Sequence, residues 1–188
     1  MTRYKLVVIG ASAGGLSALE KLLTPLPANF SIPIIIVQHI SPDSENYMVT
    51  LLNNRCNLHV KEADEKEVIK AGYVYIAPPN FHILMEEDHS ISLSVEEQVN
   101  FSRPSIDVLF ETAADVFKNR LVGIVLTGGN QDGAVGLKTI KDKGGLTIAQ
   151  SPQEAQVNIM PSIAISTTHP EYVLTLNEIS TLLIELAH

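Results

Sequence analysis

Short apolar runs recur along the chain, and most of them do not alternate with polar residues. Leu6-Val7-Val8-Ile9, Ile34-Ile35-Ile36-Val37 and Val74-Tyr75-Ile76-Ala77 each read as a strand covered on both faces, as do Leu121-Val122-Gly123-Ile124-Val125-Leu126 and Leu146-Thr147-Ile148-Ala149. Helical patterns separate them. A helix over roughly Leu16 to Leu23 is stopped by Pro25 and Pro27, and another lies near Glu45 to Asn53. After Pro104 a helix places Ile106, Leu109, Phe110, Ala113 and Phe117 on one face, with Ser105 and Asp107 suited to its start. A further helix spans Ala134 to Lys141, and Pro161 to Ile165 predicts a short one. Tyr172-Val173-Leu174 is a last strand, and Asn177 is expected to cap a final amphipathic helix that turns Ile179, Leu182, Leu183 and Leu186 inward.

One stretch breaks this rhythm. His82 to Glu86, a polar tip at Glu87-Asp88-His89-Ser90, and Ile91 to Ser94 read as a β-hairpin. Alternation of buried strand and helix elsewhere predicts one α/β domain over residues 1–188, without repeats or linkers. Its expected form is a doubly wound, mostly parallel sheet with helices on both faces and a small β-hairpin insertion.

Composition narrows the function classes. Hydrophobic residues make up 45% and charged residues 18%, which favours a packed core over disorder. Thirteen Lys plus Arg against 21 Asp plus Glu give a formal charge of -8, with no basic stripe, so nucleic acid and membrane surfaces are poor partners. No apolar run approaches the roughly 18 residues of a spanning helix. The single Cys56 has no second thiol for a disulfide or metal site and reads as a half-buried thiol at a helix end. The N-terminus runs directly into a strand, leaving no room for a signal peptide, so a cytoplasmic location is expected.

Ligands of such folds bind at the carboxyl ends of the strands, and three segments there carry chemistry. Gly10-Ala11-Ser12-Ala13-Gly14-Gly15 fits Gly-x-Ser-x-Gly, a sharp strand-to-helix turn that presents a serine above the sheet. The same kind of small-residue turn also cradles phosphates, although Ser12 replaces the second glycine of the dinucleotide pattern. In Val37-Gln38-His39-Ile40-Ser41-Pro42, His39 follows a buried strand; it is either a structural histidine or a general base for Ser12. In Thr127-Gly128-Gly129-Asn130-Gln131-Asp132-Gly133, Asp132 is either the cap of the following helix or the acid that orients His39. The order Ser-His-Asp differs from the Ser-Asp-His order of α/β-hydrolases. The remaining histidines, His59, His82, His89, His169 and His188, show no metal-ligand spacing and read mostly as surface or loop residues.

Taken together, these motifs resemble the catalytic domain of the chemotaxis protein-glutamate methylesterases, the CheB family. The likeness covers nearly the whole chain. It rests on Ile9 to Gly15, Val37-Gln38-His39, Tyr75-Ile76-Ala77-Pro78-Pro79, Arg103-Pro104-Ser105-Ile106-Asp107-Val108-Leu109-Phe110, Leu126-Thr127-Gly128 with Asp132-Gly133-Ala134, and Met160-Pro161. The resemblance implies Ser12 as nucleophile, His39 as base and Asp132 as the third member of a triad. It further implies hydrolysis of γ-glutamyl methyl esters on the cytoplasmic helices of methyl-accepting chemoreceptors, with glutamine deamidation as an allied activity and no metal or organic cofactor. Oxyanion contacts are expected from backbone N–H groups near Ala13 and the Gly128-Gly129 loop. Arg103 is expected either to guide an acidic receptor helix or to form a surface salt bridge.

Two departures accompany the resemblance. Receptor-linked members usually carry an N-terminal receiver domain, whereas this chain starts at the first catalytic strand; a separate receiver-domain protein is therefore an expected partner. The loop Gly129-Asn130-Gln131 stands where the family commonly has Met-Gly-Asn, which keeps Asp132 in register but removes the bulky side chain at Gly129. A hydrolase of another protein or small ester, and a silent binding module in a signalling complex, are the competing readings. Retention of Ser12, His39 and Asp132 together argues against the silent module.

Overall fold

The computed structural model describes residues 3–39 and 47–188. The strands are β1 (Leu6–Ala11), β2 (Ile34–Gln38), β3 (His59–Glu62), β4 (Tyr73–Ile76), β5 (His82–Met85), β6 (Ile91–Ser94), β7 (Leu121–Val125), β8 (Leu146–Gln150) and β9 (Tyr172–Leu174). The helices are α1 (Gly15–Leu23), α2 (Tyr47–Arg55), α3 (Ile106–Phe117), α4 (Ala134–Asp142), α5 (Ile159–Thr168) and α6 (Leu176–Leu186). The expected start of the second helix at Glu45 lies outside the described residues.

Seven strands form a parallel sheet in the order β3-β4-β2-β1-β7-β8-β9, and β5 and β6 form the separate antiparallel hairpin. The unalternating runs have the expected cause. Along β1, Val7, Ile9 and Ala11 enter one apolar layer, while Leu6 and Val8 enter the other. Helices α1, α2 and α6 cover the first face, and α3, α4 and α5 the second. Burial of both layers supplies the dominant stabilisation, at about 25 cal/mol for each Å² of apolar surface removed from water.

Glycine permits two close approaches that set the helix positions. A Cβ on Gly123 of β7 would lie 2.5 Å from Ile140 Cδ1, so α4 sits directly on the strand backbone. A Cβ on Gly10 would meet Ile106 Cγ2 at 2.4 Å, which holds the start of α3 against the end of β1.

Several local expectations change. His59 opens β3, an edge strand in which only Val60 is fully buried, so the sheet has one strand more than the apolar runs indicated. Thr175, not Asn177, caps α6: its hydroxyl accepts from the Glu178 N–H, and the Glu178 carboxylate accepts from the Thr175 N–H, satisfying two orphan donors at once. Pro161 lies inside α5, but in the first turn, where its missing N–H has no intrahelical partner. Cys56 is half-buried just after α2, as expected, and burial pushes its thiol pKa up.

Chain order reverses around β1. The connection through α1 leads to β2 on one side, and the later connection through α3 leads to β7 on the other, on the opposite face. A crevice at the carboxyl ends of β1 and its neighbours is the expected ligand site of such a sheet.

Candidate active site

Ser12 follows β1, His39 follows β2, and Asp132 lies in the loop after β7; these three strands are adjacent in the sheet. The chain therefore delivers all three side chains to one edge. The Ser12 turn is held by its N–H donating to Thr127 O at 3.0 Å and by the Gly15 N–H donating back to Ser12 O at 2.8 Å. Gly14 caps α1 at φ 80°, a left-handed conformation that favours glycine. A cavity of about 510 Å³ opens beside this turn, bordered by Ser12, Ala13, Gly14, Gln38, His39, Glu20 and Gln156 among others.

His39 Nε2 lies 2.8 Å from Asp132 Oδ2. The imidazole side chain is 12% exposed and the carboxylate is fully buried. Four further donors converge on that carboxylate. Oδ2 accepts from the Ile106 N–H at 2.6 Å, and Oδ1 accepts from the Asp107 N–H at 3.1 Å, Ser105 Oγ at 2.9 Å and Asn100 Nδ2 at 2.9 Å. Burial alone would raise the Asp132 pKa, but the bonds from His39, Ile106, Asn100 and Asp107 outweigh it and hold the carboxyl below its ordinary 3.8. An ionised carboxylate only accepts, so Nε2 carries a hydrogen, and in the neutral ring the lone pair is on Nδ1.

Asp132 does act as a helix cap, but of α3 rather than of the helix that follows it. The first-turn amides of α3 point at its oxygens, adding the positive end of a helix dipole to its environment. The cap of α4 comes from Asp107, whose Oδ1 accepts from the Gly133 and Gly136 N–H groups at 3.0 and 2.6 Å.

Gln38 steadies the front of the site. Its Nε2 donates to Ser12 O and to His39 O, each at 2.9 Å, joining the ends of β1 and β2. A Cβ on Gly15 would lie 1.8 Å from Gln38 Oε1, so only glycine lets the amide settle there. Behind Ser12, a Cβ on Gly128 would meet Met160 Cε at 2.6 Å and Ser12 Cβ at 3.0 Å.

The expected auxiliary residues divide. Ala13 borders the cavity, and its N–H has no protein acceptor among the described residues, which leaves it available to an oxyanion. The Gly128 N–H is not available, because it donates to Val157 O at 3.0 Å. Gly129 is exposed, with Val157 Cγ1 at 3.9 Å as the nearest neighbour of a would-be Cβ. Arg103 forms no ion pair among the described residues; its guanidinium is engaged within its own fold. It grips Asn80 Oδ1 from Nε and Nη2, and Val95 O and Glu96 O from Nη1, all between 2.8 and 3.1 Å.

His82, expected at the surface, is instead 2% exposed: its Nε2 lies 2.9 Å from Glu97 O, and Nδ1 accepts from the Ser105 N–H at 3.1 Å. Sequence reasoning missed Asn100, Asn130 and Gln38 as members of the site; none of them belongs to a motif with catalytic spacing. Among the described residues, no cluster of three His, Cys, Asp or Glu side chains could hold a metal ion, and no helix is long and apolar enough to cross a membrane.

The family model described as CheB methylesterase matches residues 7–183. The chain belongs to this family. A crystal structure of the Thermotoga maritima CheB methylesterase catalytic domain superposes with a TM-score of 0.93 at 35% identity, covering 97% of this chain and 98% of that one. A Leptospira interrogans relative is 52% identical over 183 residues, covering 97% of this chain and 95% of its own length. A Thermotoga maritima protein-glutamate methylesterase/protein-glutamine glutaminase is 36% identical, and the match covers 97% of this chain and 54% of the relative. The CheB fold thus accounts for the parallel sheet, while the arrangement at its carboxyl edge is read from this chain's own residues.

Proposed function

We propose that this CheB-family chain is a protein-glutamate methylesterase in which Ser12 is the nucleophile, His39 the general base and Asp132 the residue that orients the imidazole and stabilises its protonated form. The observation that carries the reading is the Asp132-anchored His39 ring bordering the same cavity as Ser12. The Ser12 proton passes to His39 Nδ1 as Oγ attacks the γ-carbonyl carbon of the ester. The Ala13 N–H stabilises the resulting oxyanion. Collapse breaks the bond to the methoxy oxygen, which takes the proton from Nδ1 and leaves as methanol. His39 then deprotonates a water that attacks the acyl-serine, returning Ser12 and giving a glutamate side chain. A glutamine amide follows the same course with ammonia as the leaving group.

Glu20 on the cavity wall is ion-paired with Arg55 at 3.8 Å. The substrates in this proposal are methylated cytoplasmic helices of chemoreceptors, reached in the cytoplasm, with a separate receiver-domain protein as regulator.

Methanol release from methylated chemoreceptor fragments tests the assignment. Wild-type protein should release methanol, and Ser12→Ala should fall to background. Equal release by both removes Ser12 as nucleophile. Release by neither redirects the site to a different ester.

A further inference from the structure

The contact of Asn130 with the imidazole has no role in that mechanism. Asn130 Nδ2 lies 3.2 Å from His39 Nδ1, and Asn130 Oδ1 accepts from the Asp132 N–H at 3.0 Å. A backbone N–H only donates, so the carboxamide must turn its oxygen to Asp132 and its NH2 group to the ring. On the far side of the ring, Nε2 faces the Asp132 carboxylate at 2.8 Å. Asn130 therefore occupies the lone pair of the one nitrogen free to act as base. Ser12 borders the same cavity but makes no hydrogen bond to either ring nitrogen among the described residues.

We propose that Asn130 is a latch on the general base, holding His39 Nδ1 in the resting protein and releasing it when an ester carbonyl enters the cavity. The proposal rests on the Ser12-His39-Asp132 reading. When Ser12 gives its proton to Nδ1, its Oγ electron pair forms the bond to the carbonyl carbon and the ring becomes an imidazolium. Both ring nitrogens then donate. The NH2 group of Asn130 now faces a donor, so the contact that steadies the neutral ring opposes the charged one. Among the described residues, Asp132 holds Nε2, Glu20 borders the same cavity paired with Arg55 at 3.8 Å, and no carboxylate hydrogen-bonds Nδ1.

The loop can accommodate the release. Asn130 is half-buried, the preceding Gly129 is exposed, and a Cβ at Gly129 would meet nothing closer than 3.9 Å. An entering ester supplies the replacement partner, because its carbonyl oxygen accepts from the displaced NH2 group. Asn130 is thus a positioning residue that links substrate arrival to a free base.

A small fluorophosphonate tests the latch without receptor docking. It phosphonylates an activated serine: the Ser12 Oγ–P bond forms, fluoride leaves and His39 receives the proton. Asn130→Ala should react about 3- to 10-fold faster than wild type, the scale of one neutral hydrogen bond. Asn130→Gly should behave alike, guarding against a local effect of the alanine. In nitrogen-15 spectra the His39 Nδ1 resonance should move toward that of an unbonded acceptor in both variants. Unchanged or slower reaction with an unmoved Nδ1 resonance overturns the latch and leaves the triad standing. Wild-type protein that reacts no faster than Ser12→Ala overturns both.

Discussion

Asp107 and Asp132 each cap the helix belonging to the other. Asp132, in the loop that leads into α4, accepts the first amides of α3, while Asp107, in the first turn of α3, accepts the Gly133 and Gly136 amides at the start of α4. Asn100 Nδ2 joins the two carboxylates at 2.7 and 2.9 Å. The acid that positions His39 is therefore fixed by a mutual brace between two helices, and not by its loop alone.

Asp107→Ala should lower stability by about 2 kcal/mol, because it strands two buried N–H groups at a helix start. Hydrolysis should fall as well, since the start of α4 and Asp132 shift together. Asp107→Asn keeps an acceptor oxygen and should cost less. Urea denaturation measures both; an alanine variant as stable as wild type would show that the brace contributes nothing.

The two carboxylates have opposite effects on acid stability. Asp132 has a folded pKa below 3.8, so its contribution is present above 3.8 and is lost as pH falls through the lower folded value. Asp107 is pushed above 3.8 by burial, and the Asp132 charge adds to this against the opposing bonds from Gly136, Asn100 and Gly133. Its contribution is therefore present below 3.8 and is lost as pH rises through the folded value. Between pH 5 and pH 3, Asp132→Asn should lose less stability than wild type, and Asp107→Asn more. Denaturation midpoints at the two pH values give the comparison.

Gly15→Ala puts a methyl where Gln38 Oε1 now lies, 1.8 Å away. The displaced amide loses its hold on the Ser12 and His39 carbonyls, so stability should fall by about 1–3 kcal/mol and catalysis with it. In a Gln38→Ala background the nearest remaining atom is Ala11 Cβ at 3.0 Å, so the same change should cost markedly less. A double-mutant cycle reads the coupling directly, and additive effects would sink the explanation.

Arg103→Lys should not behave as a conservative change. A lysine ammonium cannot reproduce the planar fork that grips Asn80 and the Val95 and Glu96 carbonyls. The loop from Val95 to Arg103 should loosen, and limited proteolysis there should quicken. Because Asn100 lies in this loop, the turnover rate should drop several-fold with little change in melting temperature. A variant matching wild type in both assays would count against the clamp.

The sheet centre and the placement of its candidate residues were legible because both depend on local pattern. The unalternating runs of β1, β2 and β7 mark strands buried on both faces, and the turns after them carry Ser12, His39 and Asp132. β3 was not legible, since a His-Val-Lys-Glu strand with one buried residue has no periodic signature. The burial of His82 depends on Glu97 and Ser105, which reach it only once the hairpin folds onto α3. The same limit applies to Asp132: its sequence position suggests a cap for α4, and only tertiary structure turns it to α3. The Thr175 cap was present in the sequence as Thr-x-x-Glu, two residues before the asparagine expected to do that work. Asn130 gave no signal, because its contact depends on the direction of a side chain in an irregular loop.

Ser12, His39 and Asp132 leave three consecutive strands at the middle of the sheet, with two more strands on each side. The outermost strands, β3 and β9, are each separated from these three by an intervening strand and can lengthen without direct contact with them. The outer edges are consequently the places where relatives can diverge and attach further modules, while loss of the site should coincide with the opening of the last-exchanging amides.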